Sequence, residues 1–366
     1  MEYVIIGNSA AGIGAVEGIR KTDKNGNITI VSREPYHTYS RPLISYLLQG
    51  KVTEERMKYR PENFYQYNNC RLIFASAAKV DAGNKKVHLN SGETLGYDKL
   101  LVSTGSSAAV IPFAGLETVE NKFSFMSLDD AKKLEAVLTT ESRVLIVGAG
   151  LVGLKCAEGI CKRVNSVTVI DLADRILPAV LDSDGAKIVQ EHIESAGVNF
   201  KLSVKVEKFD KNEALLSNGE KINFDALVLA TGVRPNTDLL KGIANINRGI
   251  VINDKSETSY PDIYAAGDCT ETLDISCGQR KILALLPNAY MQGECAGVNM
   301  AGGELSFVNA IPMNAAGFFG LHIITAGTYS GESVTQIGKT YKKMFYSDNK
   351  LNGYILIGNI EKAGIY

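Results

Sequence analysis

Two stretches of the chain show the same order of apolar and glycine-rich segments. The apolar run 3–6 predicts a buried parallel strand, and a glycine-containing turn and apolar positions at helical spacing over 13–20 follow it. The apolar run 143–147 is followed in the same way by a glycine-rich turn and a helical pattern. Each stretch therefore predicts a strand, a tight turn and a helix, which is the start of a β-α-β unit.

The turn in the first stretch has the composition of a pyrophosphate-binding loop. Gly7 permits the tight turn, and Gly12 lets the helix pack closely on the strand. Ser9, Ala10 and Ala11 are small enough for the backbone to approach phosphates, although Ser9 replaces the usual middle glycine. Because the N–H groups at a helix start favour an anion, a dinucleotide is predicted to bind here.

An acidic residue follows the second predicted strand of this unit, which covers 28–31. Glu34 lies about 20 residues after the glycine turn, where a carboxylate can accept hydrogen bonds from ribose hydroxyls. Ser32 and Arg33 are competing candidates, since the end of the strand cannot be assigned to one residue. A solvated loop carboxylate is the alternative interpretation of Glu34.

The second glycine turn is a complete G-x-G-x-x-G motif. The residues predicted to bind the second dinucleotide there are Gly148, Gly150, Leu151, Val152 and Gly153. Asp171 lies about 20 residues further on, where the acidic ribose ligand is expected. Because no arginine follows Asp171 immediately to receive a 2′-phosphate, NAD(H) is favoured over NADP(H), although Arg175 is close enough to keep this preference moderate.

Each unit is followed by a predicted three-stranded meander and a returning strand. The returning strands end in the turns Thr104–Gly105 and Thr231–Gly232, where glycine allows the close approach of a nucleotide. Two dinucleotide sites imply two cofactors, one a bound flavin and the other an exchangeable nicotinamide. The predicted fold class is α/β, with two Rossmann-like dinucleotide-binding domains and a short α+β C-terminal domain.

Composition and charge argue against several other classes of protein. The 366 residues include 39 basic and 40 acidic ones, so neither nucleic acid nor an anionic membrane is an expected partner. No apolar run approaches the roughly 20 residues of a membrane span, and the chain starts without a basic leader, so a cytoplasmic location is expected. The six cysteines form no C-x-x-C pair and the four histidines are scattered, which argues against a disulfide framework and a metal site.

Taken together, these motifs resemble the two-dinucleotide-binding-domain flavoproteins, the FAD-dependent pyridine nucleotide–disulfide oxidoreductase superfamily. In that family the first unit holds FAD and the second holds NAD(P)H. Segment 258–268 resembles the family strand that contacts the flavin, which implies Gly267 and Asp268 as ligands. Segment 287–293 resembles the helix start that faces the flavin pyrimidine and includes Ala289, and the resemblance also implies an FAD contact at Ala77.

The segment after Glu34 indicates a branch of this family. It resembles the E-P-x-x-x-Y-x-R-P segment of rubredoxin reductases, oxygenase-type ferredoxin reductases and nitrite reductase flavin domains, which implies that Arg41 and Pro42 lie beside the flavin. Ser40 stands about where CoA-disulfide reductases and NADH oxidases or peroxidases have a redox cysteine. Because a hydroxyl forms neither a thiolate nor a disulfide, no catalytic side chain is predicted.

Two further positions depart from the family pattern. Tyr46 stands where many ferredoxin reductases have a lysine, and Lys155 where many relatives have a glutamate close to the nicotinamide. A salt-bridged helix surface is the alternative interpretation of Lys155. Cys156 and Cys161 are predicted to be packing residues.

Three domains are expected. Their predicted bounds are 1–108 and 238–304 for FAD binding, 109–237 for NAD binding, and 305–366 for a C-terminal interface domain. The strands predicted in the last domain are 318–327, 342–346 and 354–358. Relatives continue beyond this point, so the resemblance allows a homodimer but leaves its usual contact open.

The expected function is electron transfer from NADH through FAD to a one-electron acceptor protein, either rubredoxin, ferredoxin or an iron–sulfur partner. The chain has no cysteine cluster of its own for such a metal centre. Two alternatives stay open: an FAD subunit bound permanently in a multi-subunit redox complex, and an NADH oxidase using oxygen, against which Ser40 counts.

Overall fold

The computed structural model describes residues 1–109, 111–338 and 340–366. Its strands are β1 (Glu2–Ile6), β2 (Asn27–Ser32), β3 (Cys70–Phe74), β4 (Ala77–Asp81), β5 (Lys86–Leu89), β6 (Thr94–Gly96), β7 (Lys99–Val102), β8 (Ser106–Ala108), β9 (Lys122–Phe123), β10 (Arg143–Val147), β11 (Ser166–Ile170), β12 (Val198–Lys201), β13 (Val206–Asp210), β14 (Glu213–Leu216), β15 (Lys221–Asn223), β16 (Ala226–Leu229), β17 (Val233–Pro235), β18 (Ile250–Val251), β19 (Ile263–Ala265), β20 (Thr270–Asp274), β21 (Gln279–Lys281), β22 (Met313–Phe318), β23 (Leu321–Gly327), β24 (Glu332–Ile337), β25 (Tyr341–Ser347) and β26 (Lys350–Ile357).

The α-helices are α1 (Ala10–Thr22), α2 (Ile44–Leu48), α3 (Phe64–Tyr67), α4 (Leu128–Val137), α5 (Leu151–Ile160), α6 (Ser183–Ser195) and α7 (Leu286–Met300). Short 3-10 helices cover Arg41–Leu43, Glu54–Met57, Leu116–Thr118, Asp238–Leu240 and Ala363–Ile365. Within the described ranges, every helix is too short or too polar to cross a membrane.

These residues form two compact units. The first contains Met1–Ser40, Lys58–Ser107 and Pro235–Pro312, and the second contains Arg41–Met57, Ala108–Arg234 and Met313–Tyr366. The breaks near 107 and 235 lie close to the predicted bounds at 108 and 238, and the C-terminal strands group with the second unit. The three-domain assignment stays a prediction.

The first unit is built on a parallel sheet of strand order β19-β7-β1-β2-β3. The central strand β1 is apolar on both faces, because Ile5 packs in a core with α1 while Val4 packs in a core with the meander β4-β5-β6. A strand covered on both faces is expected to be a continuous apolar run, as the run 3–6 is. The α/β class is thereby confirmed for this unit.

Helices α1 and α7 pack closely through glycine. The glycines in the contact are Gly14, Gly18, Gly293 and Gly297, which form one G-x-x-x-G spacing on each helix. A Cβ atom at any of them would lie between 1.9 and 2.3 Å from a backbone oxygen of the other helix. The absence of side chains therefore brings the two backbones together. The sequence pattern predicted the helix over 13–20, but the matching glycines of α7 were not predicted.

The second unit repeats this plan in a parallel sheet of order β12-β11-β10-β16-β9. Strand β16 returns beside β10, as β7 returns beside β1, and β13-β14-β15 form the second meander. A separate antiparallel sheet of order β22-β23-β26-β25-β24 is formed by the C-terminal residues. The repeat predicted from the two glycine turns is confirmed by this strand order.

The stretch 318–327, predicted as one strand, contains a turn. Phe318 pairs with Leu321, and the two residues between them, Phe319 and Gly320, have φ angles of 50° and 91°. Two positive φ angles are typical of the type I′ turn that joins hairpin strands. Phenylalanine is not a turn-forming residue, so the apolar pattern concealed the break. The exposed edge strand β24 was not predicted.

Asp182 holds the C-terminal sheet to α6. One carboxylate oxygen accepts the Gly185 N–H at 3.0 Å and so caps the helix, and the other accepts the Tyr341 hydroxyl at 2.6 Å and the Lys343 ammonium at 2.8 Å. Burial by itself raises the pKa of Asp182, but the bonds from Lys343, Tyr341 and Gly185 outweigh it and hold this pKa below the usual aspartate value.

Replacing Asp182 by asparagine should destabilise the second unit by about 1–3 kcal/mol at pH 7, because the cap is kept while the charged bond to Lys343 is lost. An aspartate with a lowered folded pKa stabilises fully above about pH 4 and loses that contribution as the pH falls through its folded pKa. Urea unfolding of wild type and variant should therefore converge below pH 4. The exposed Asp184→Asn variant is the control, and an equal loss there would contradict the prediction.

Candidate dinucleotide sites

The five long helices differ at their N-termini. Among the described residues, α1, α5 and α7 have neither a side-chain hydrogen bond to their first turn nor an acidic residue in it. Helix α4 has a capping box made by Ser127 and Asp130, and α6 is capped by Asp182. Uncapped N–H groups carry partial positive charge and suit an anionic ligand. The three uncapped helices are the three that the sequence assigns to cofactors.

The first glycine turn has the close backbone contacts expected of a phosphate loop. Gly7 has a φ angle of +124°, and a Cβ there would lie 2.2 Å from the Ser103 carbonyl oxygen. A Cβ on Gly12 would lie 2.1 Å from the Gly7 oxygen. Ser9 is the N-cap residue of α1 in extended conformation, followed directly by Ala10. The turn therefore has the close backbone packing typical of a pyrophosphate-binding loop, and its contact with FAD stays a prediction.

The second glycine turn has the same geometry. Gly148 has a φ angle of +116°, and its Cβ would lie 2.2 Å from the Ala230 oxygen, while a Cβ on Gly153 would lie 2.0 Å from the Gly148 oxygen. Gly150 is the N-cap residue of α5. A Cβ built on it would meet none of the surrounding described residues within 4 Å. Leu151 and Val152 open the helix. This open side of the turn is where the motif predicts a phosphate group.

Three of the residues predicted to bind FAD meet in the first unit. A Cβ built on Gly267 would lie 3.2 Å from Ala11 Cβ and 3.5 Å from Ala289 Cβ. The Gly267 N–H donates to Gln292 Oε1 at 2.8 Å, and the same oxygen accepts the Thr270 hydroxyl at 3.2 Å. Gln292, 2% exposed, thus orients this turn, and its place in the segment 287–293 was the only sequence signal for it.

The turn at Thr104–Gly105 is held by Asn236. The Thr104 hydroxyl donates to the Asn236 carbonyl at 2.7 Å, and the Asn236 side-chain amide donates back to the Thr104 carbonyl at 2.9 Å. Gly105 has a φ angle of +64°. Nearby in the chain, the Ser106 hydroxyl donates to Asp268 at 3.2 Å. Asn236 lies far from this turn in sequence, and no sequence pattern points to it.

Glu34 begins the segment that leads toward Ser40. Its Oε2 accepts the Tyr39 hydroxyl at 2.5 Å, and its carbonyl accepts the Ser32 hydroxyl at 2.7 Å. Ser32 is buried and Arg33 is exposed, so Glu34 is the half-buried carboxylate at this strand end. Its ribose role remains a prediction.

Three further residues predicted to contact FAD are Ala77, Arg41 and Pro42. Ala77 opens β4 and packs, half-buried, on the core that contains Val4. Arg41 and Pro42 belong to the second unit, where Arg41 donates to the Met126 carbonyl at 3.2 Å. Their predicted FAD contacts stay predictions.

Asp171 is joined to the glycine turn of the second unit. Its two carboxylate oxygens accept the Ala149 N–H at 2.6 Å and the Ala173 N–H at 2.8 Å. The Thr231–Gly232 turn is tied to Ala109, whose N–H donates to the Gly232 carbonyl at 2.9 Å. The structure thus places the carboxylate at the carboxyl end of β11, beside the loop, as ribose binding requires.

Lys155 forms a half-buried ion pair with Glu158 and donates to the Gly317 carbonyl at 3.1 Å. Its ammonium lies 4.6 Å from the centre of the Tyr46 ring. Glu158, 7% exposed, also accepts the Phe319 N–H at 2.8 Å. Lys155 and Tyr46, the two residues that depart from the family pattern, are therefore in contact. The ion pair joins α5 to the β22–β23 turn.

All six cysteines are free thiols. Burial raises the pKa of Cys156 well above its usual range and that of Cys70 to about 12. Cys269, next to Asp268, is fully buried, and burial raises its pKa as well. These three thiols are poor nucleophiles at neutral pH, because the thiolate is the reactive form.

The fold and both glycine turns define a protein with two dinucleotide sites. The pyridine nucleotide-disulphide oxidoreductase family matches residues 1–293. The chain is 30% identical to the NADH-dependent phenylglyoxylate dehydrogenase subunit epsilon of Aromatoleum evansii, over 100% of this chain and 90% of that one. It is 31% identical to a rubredoxin-NAD(+) reductase of Pseudomonas putida, over 82% and 80% of the two chains.

A solved structure extends the comparison to the fold. The NADH:rubredoxin oxidoreductase from Clostridium acetobutylicum superposes with a TM-score of 0.80 at 26% identity, covering 100% of this chain and 92% of that one. The chain belongs to the pyridine nucleotide-disulphide oxidoreductase family. It is an NAD(P)H-dependent flavoprotein oxidoreductase, with FAD and NAD as cofactors. The resemblance found from the glycine turns is confirmed.

Proposed function

We propose that this protein takes electrons from NADH and passes them through FAD to a one-electron acceptor protein in the cytoplasm, either a rubredoxin, a ferredoxin or an iron–sulfur subunit. The observation that carries the proposal is the pair of uncapped glycine-turn helices, α1 and α5, combined with a serine at position 40. The rubredoxin-NAD(+) reductase relative supports the choice of acceptor.

The residues of the chain serve to bind and orient the cofactors. The first-turn N–H groups of α1 and α5 hold the phosphates, while Glu34 and Asp171 bind the riboses. Bound FAD supplies the conversion from two-electron chemistry with NADH to one-electron chemistry with a metal centre. No side chain needs to donate or accept a proton for electrons to enter, and Ser40 takes no part in a thiol relay.

The test is anaerobic reduction of the purified holoprotein. We expect a flavin spectrum that NADH bleaches faster than NADPH does, and rapid re-oxidation by rubredoxin or ferredoxin. Re-oxidation by CoA-disulfide should be negligible and that by oxygen slow. A protein without flavin, or one whose reduced flavin reacts faster with oxygen than with any carrier, would contradict the proposal.

The variant Ser40→Ala tests whether the side chain at position 40 takes part in electron transfer. If position 40 has no redox role, this variant should reduce the acceptor at the wild-type rate, since only a hydroxyl is lost. Ser40→Cys gives the reverse control, because a thiol near a flavin can produce a long-wavelength absorption band that wild type should lack. Loss of turnover in Ser40→Ala would show that the serine itself takes part.

A permanently bound redox subunit is the second candidate. It is supported by the relative named as subunit epsilon of a phenylglyoxylate dehydrogenase, whose length this chain matches over 90%. Affinity purification of the natively expressed protein distinguishes the two. Stoichiometric partner chains that survive gel filtration, together with little activity toward free rubredoxin, would favour the complex.

A further inference from the structure

A tyrosine hydroxyl connects two segments of the first unit that are predicted to hold FAD. Tyr65 Oη donates to Asn8 Oδ1 at 2.8 Å and accepts the Thr38 N–H at 3.0 Å. The Asn8 side-chain amide donates to the Tyr36 carbonyl at 3.3 Å, which closes the arrangement. Asn8 lies inside the glycine turn, between Gly7 and Ser9. We call these three bonds the Asn8–Tyr65 clasp.

Two polar side-chain atoms of His37 and Thr38 have no hydrogen-bond partner among the described residues. Thr38 is 1% exposed, yet its hydroxyl has no hydrogen-bond partner among the described residues, and the same holds for His37 Nε2. The Thr38 carbonyl accepts the Tyr59 N–H at 2.9 Å. The Tyr65 hydroxyl and the Asn8 amide are therefore two side-chain groups that join this segment to the glycine turn.

The ring of Tyr65 has a separate packing role. It meets the His37 ring edge-on at a centroid distance of 4.9 Å and the Phe64 ring at 5.4 Å. Removing only the hydroxyl would leave these contacts in place. The bridging function can thus be tested apart from packing, because phenylalanine keeps the ring and loses the two bonds of the Tyr65 hydroxyl.

We infer that Tyr65 is a positioning residue for FAD: its hydroxyl fixes the spacing between the glycine turn and the segment that runs from Glu34 to Ser40. The inference rests on the proposed function, since both segments are assigned to FAD there. A ligand that contacts two segments binds more tightly when both are held in the bound geometry beforehand. Tyr65 acts through Asn8 and Thr38 and needs no contact with FAD itself.

Tyr65→Phe should raise the dissociation constant of FAD about tenfold. Apo-protein is titrated with FAD and binding is followed by quenching of flavin fluorescence. The ³¹P NMR signals of the bound pyrophosphate should also shift, which a loss of general stability would not cause. Tyr67→Phe, on the same helix and 85% exposed, is the matched control and should bind FAD as wild type does. An unchanged dissociation constant in Tyr65→Phe would overturn the inference.

A double-mutant cycle provides the second measurement. Asn8→Ala removes the other end of the clasp, and both single variants lose the bond between Tyr65 and Asn8, so the double variant should bind FAD more tightly than the product of the two single effects predicts. Effects that multiply would show that the two residues act independently, and would overturn the clasp even if Tyr65→Phe alone were unstable. Wild-type apo-protein that binds no FAD would defeat the proposed function, whereas normal FAD binding in both variants would defeat only the clasp.

Discussion

Gly293→Ala should destabilise the first unit by about 3 kcal/mol or more and lower its FAD content. The new methyl carbon would lie 1.9 Å from the Ala11 carbonyl oxygen, in a contact between two helix backbones that has no flexible side chain to yield. In an unobstructed helix the same change would stabilise by up to about 1 kcal/mol, because alanine is the better helix former. A loss of stability in Gly293→Ala, where an unobstructed helix would gain it, would therefore be caused by the steric contact with α1.

Urea unfolding and the flavin-to-protein absorbance ratio measure this prediction. Gly96→Ala is the matched control, since a Cβ there would meet nothing within 4 Å and the residue lies in the same unit. It should change stability by less than about 1 kcal/mol. A Gly293→Ala protein as stable as wild type would show that α1 and α7 are not packed through their glycines.

Asp171→Ala should reduce the preference for NADH over NADPH on the order of 100-fold. Loss of the carboxylate removes a charge-assisted bond to the ribose and the repulsion of a 2′-phosphate, each of which contributes about 1.5 kcal/mol. Adding Leu172→Arg should reverse the preference, because Leu172 is 70% exposed and an arginine there can reach an anion.

Anaerobic flavin reduction by each nucleotide gives the two rate constants needed. Asp174→Asn is the control, since its side chain is exposed and pairs with Arg175 instead of the glycine turn. Retained NADH preference in Asp171→Ala would show that nucleotide choice depends on another group. Asp171 also accepts two backbone N–H bonds, so Asp171→Asn, which keeps one acceptor oxygen, separates loop stability from selectivity.

Two residues that hold turns of the predicted sites were not themselves predicted as site residues. Gln292 holds the Gly267 turn and was indicated only by its place in the segment 287–293, while Asn236 holds the Thr104 turn and belongs to no motif. The apolar stretch 318–327 likewise hid a turn, because Phe319 adopts a positive φ that its residue type does not favour. Propensity is local, while these features depend on partners supplied by the rest of the fold.

The family resemblance of the motifs identified the cofactors, and the sequence by itself determined the two β-α-β units and their glycine turns. These follow from short-range rules: a parallel strand buried on both faces is an apolar run, and a phosphate loop needs residues without Cβ at a set spacing. Only the tertiary structure decided which distant residues meet. The glycines of α1 and α7, the Lys155–Tyr46 contact and the Asn8–Tyr65 clasp each join segments far apart in the chain. Such contacts arise when the sheet and its helices pack together, and local patterning does not specify them.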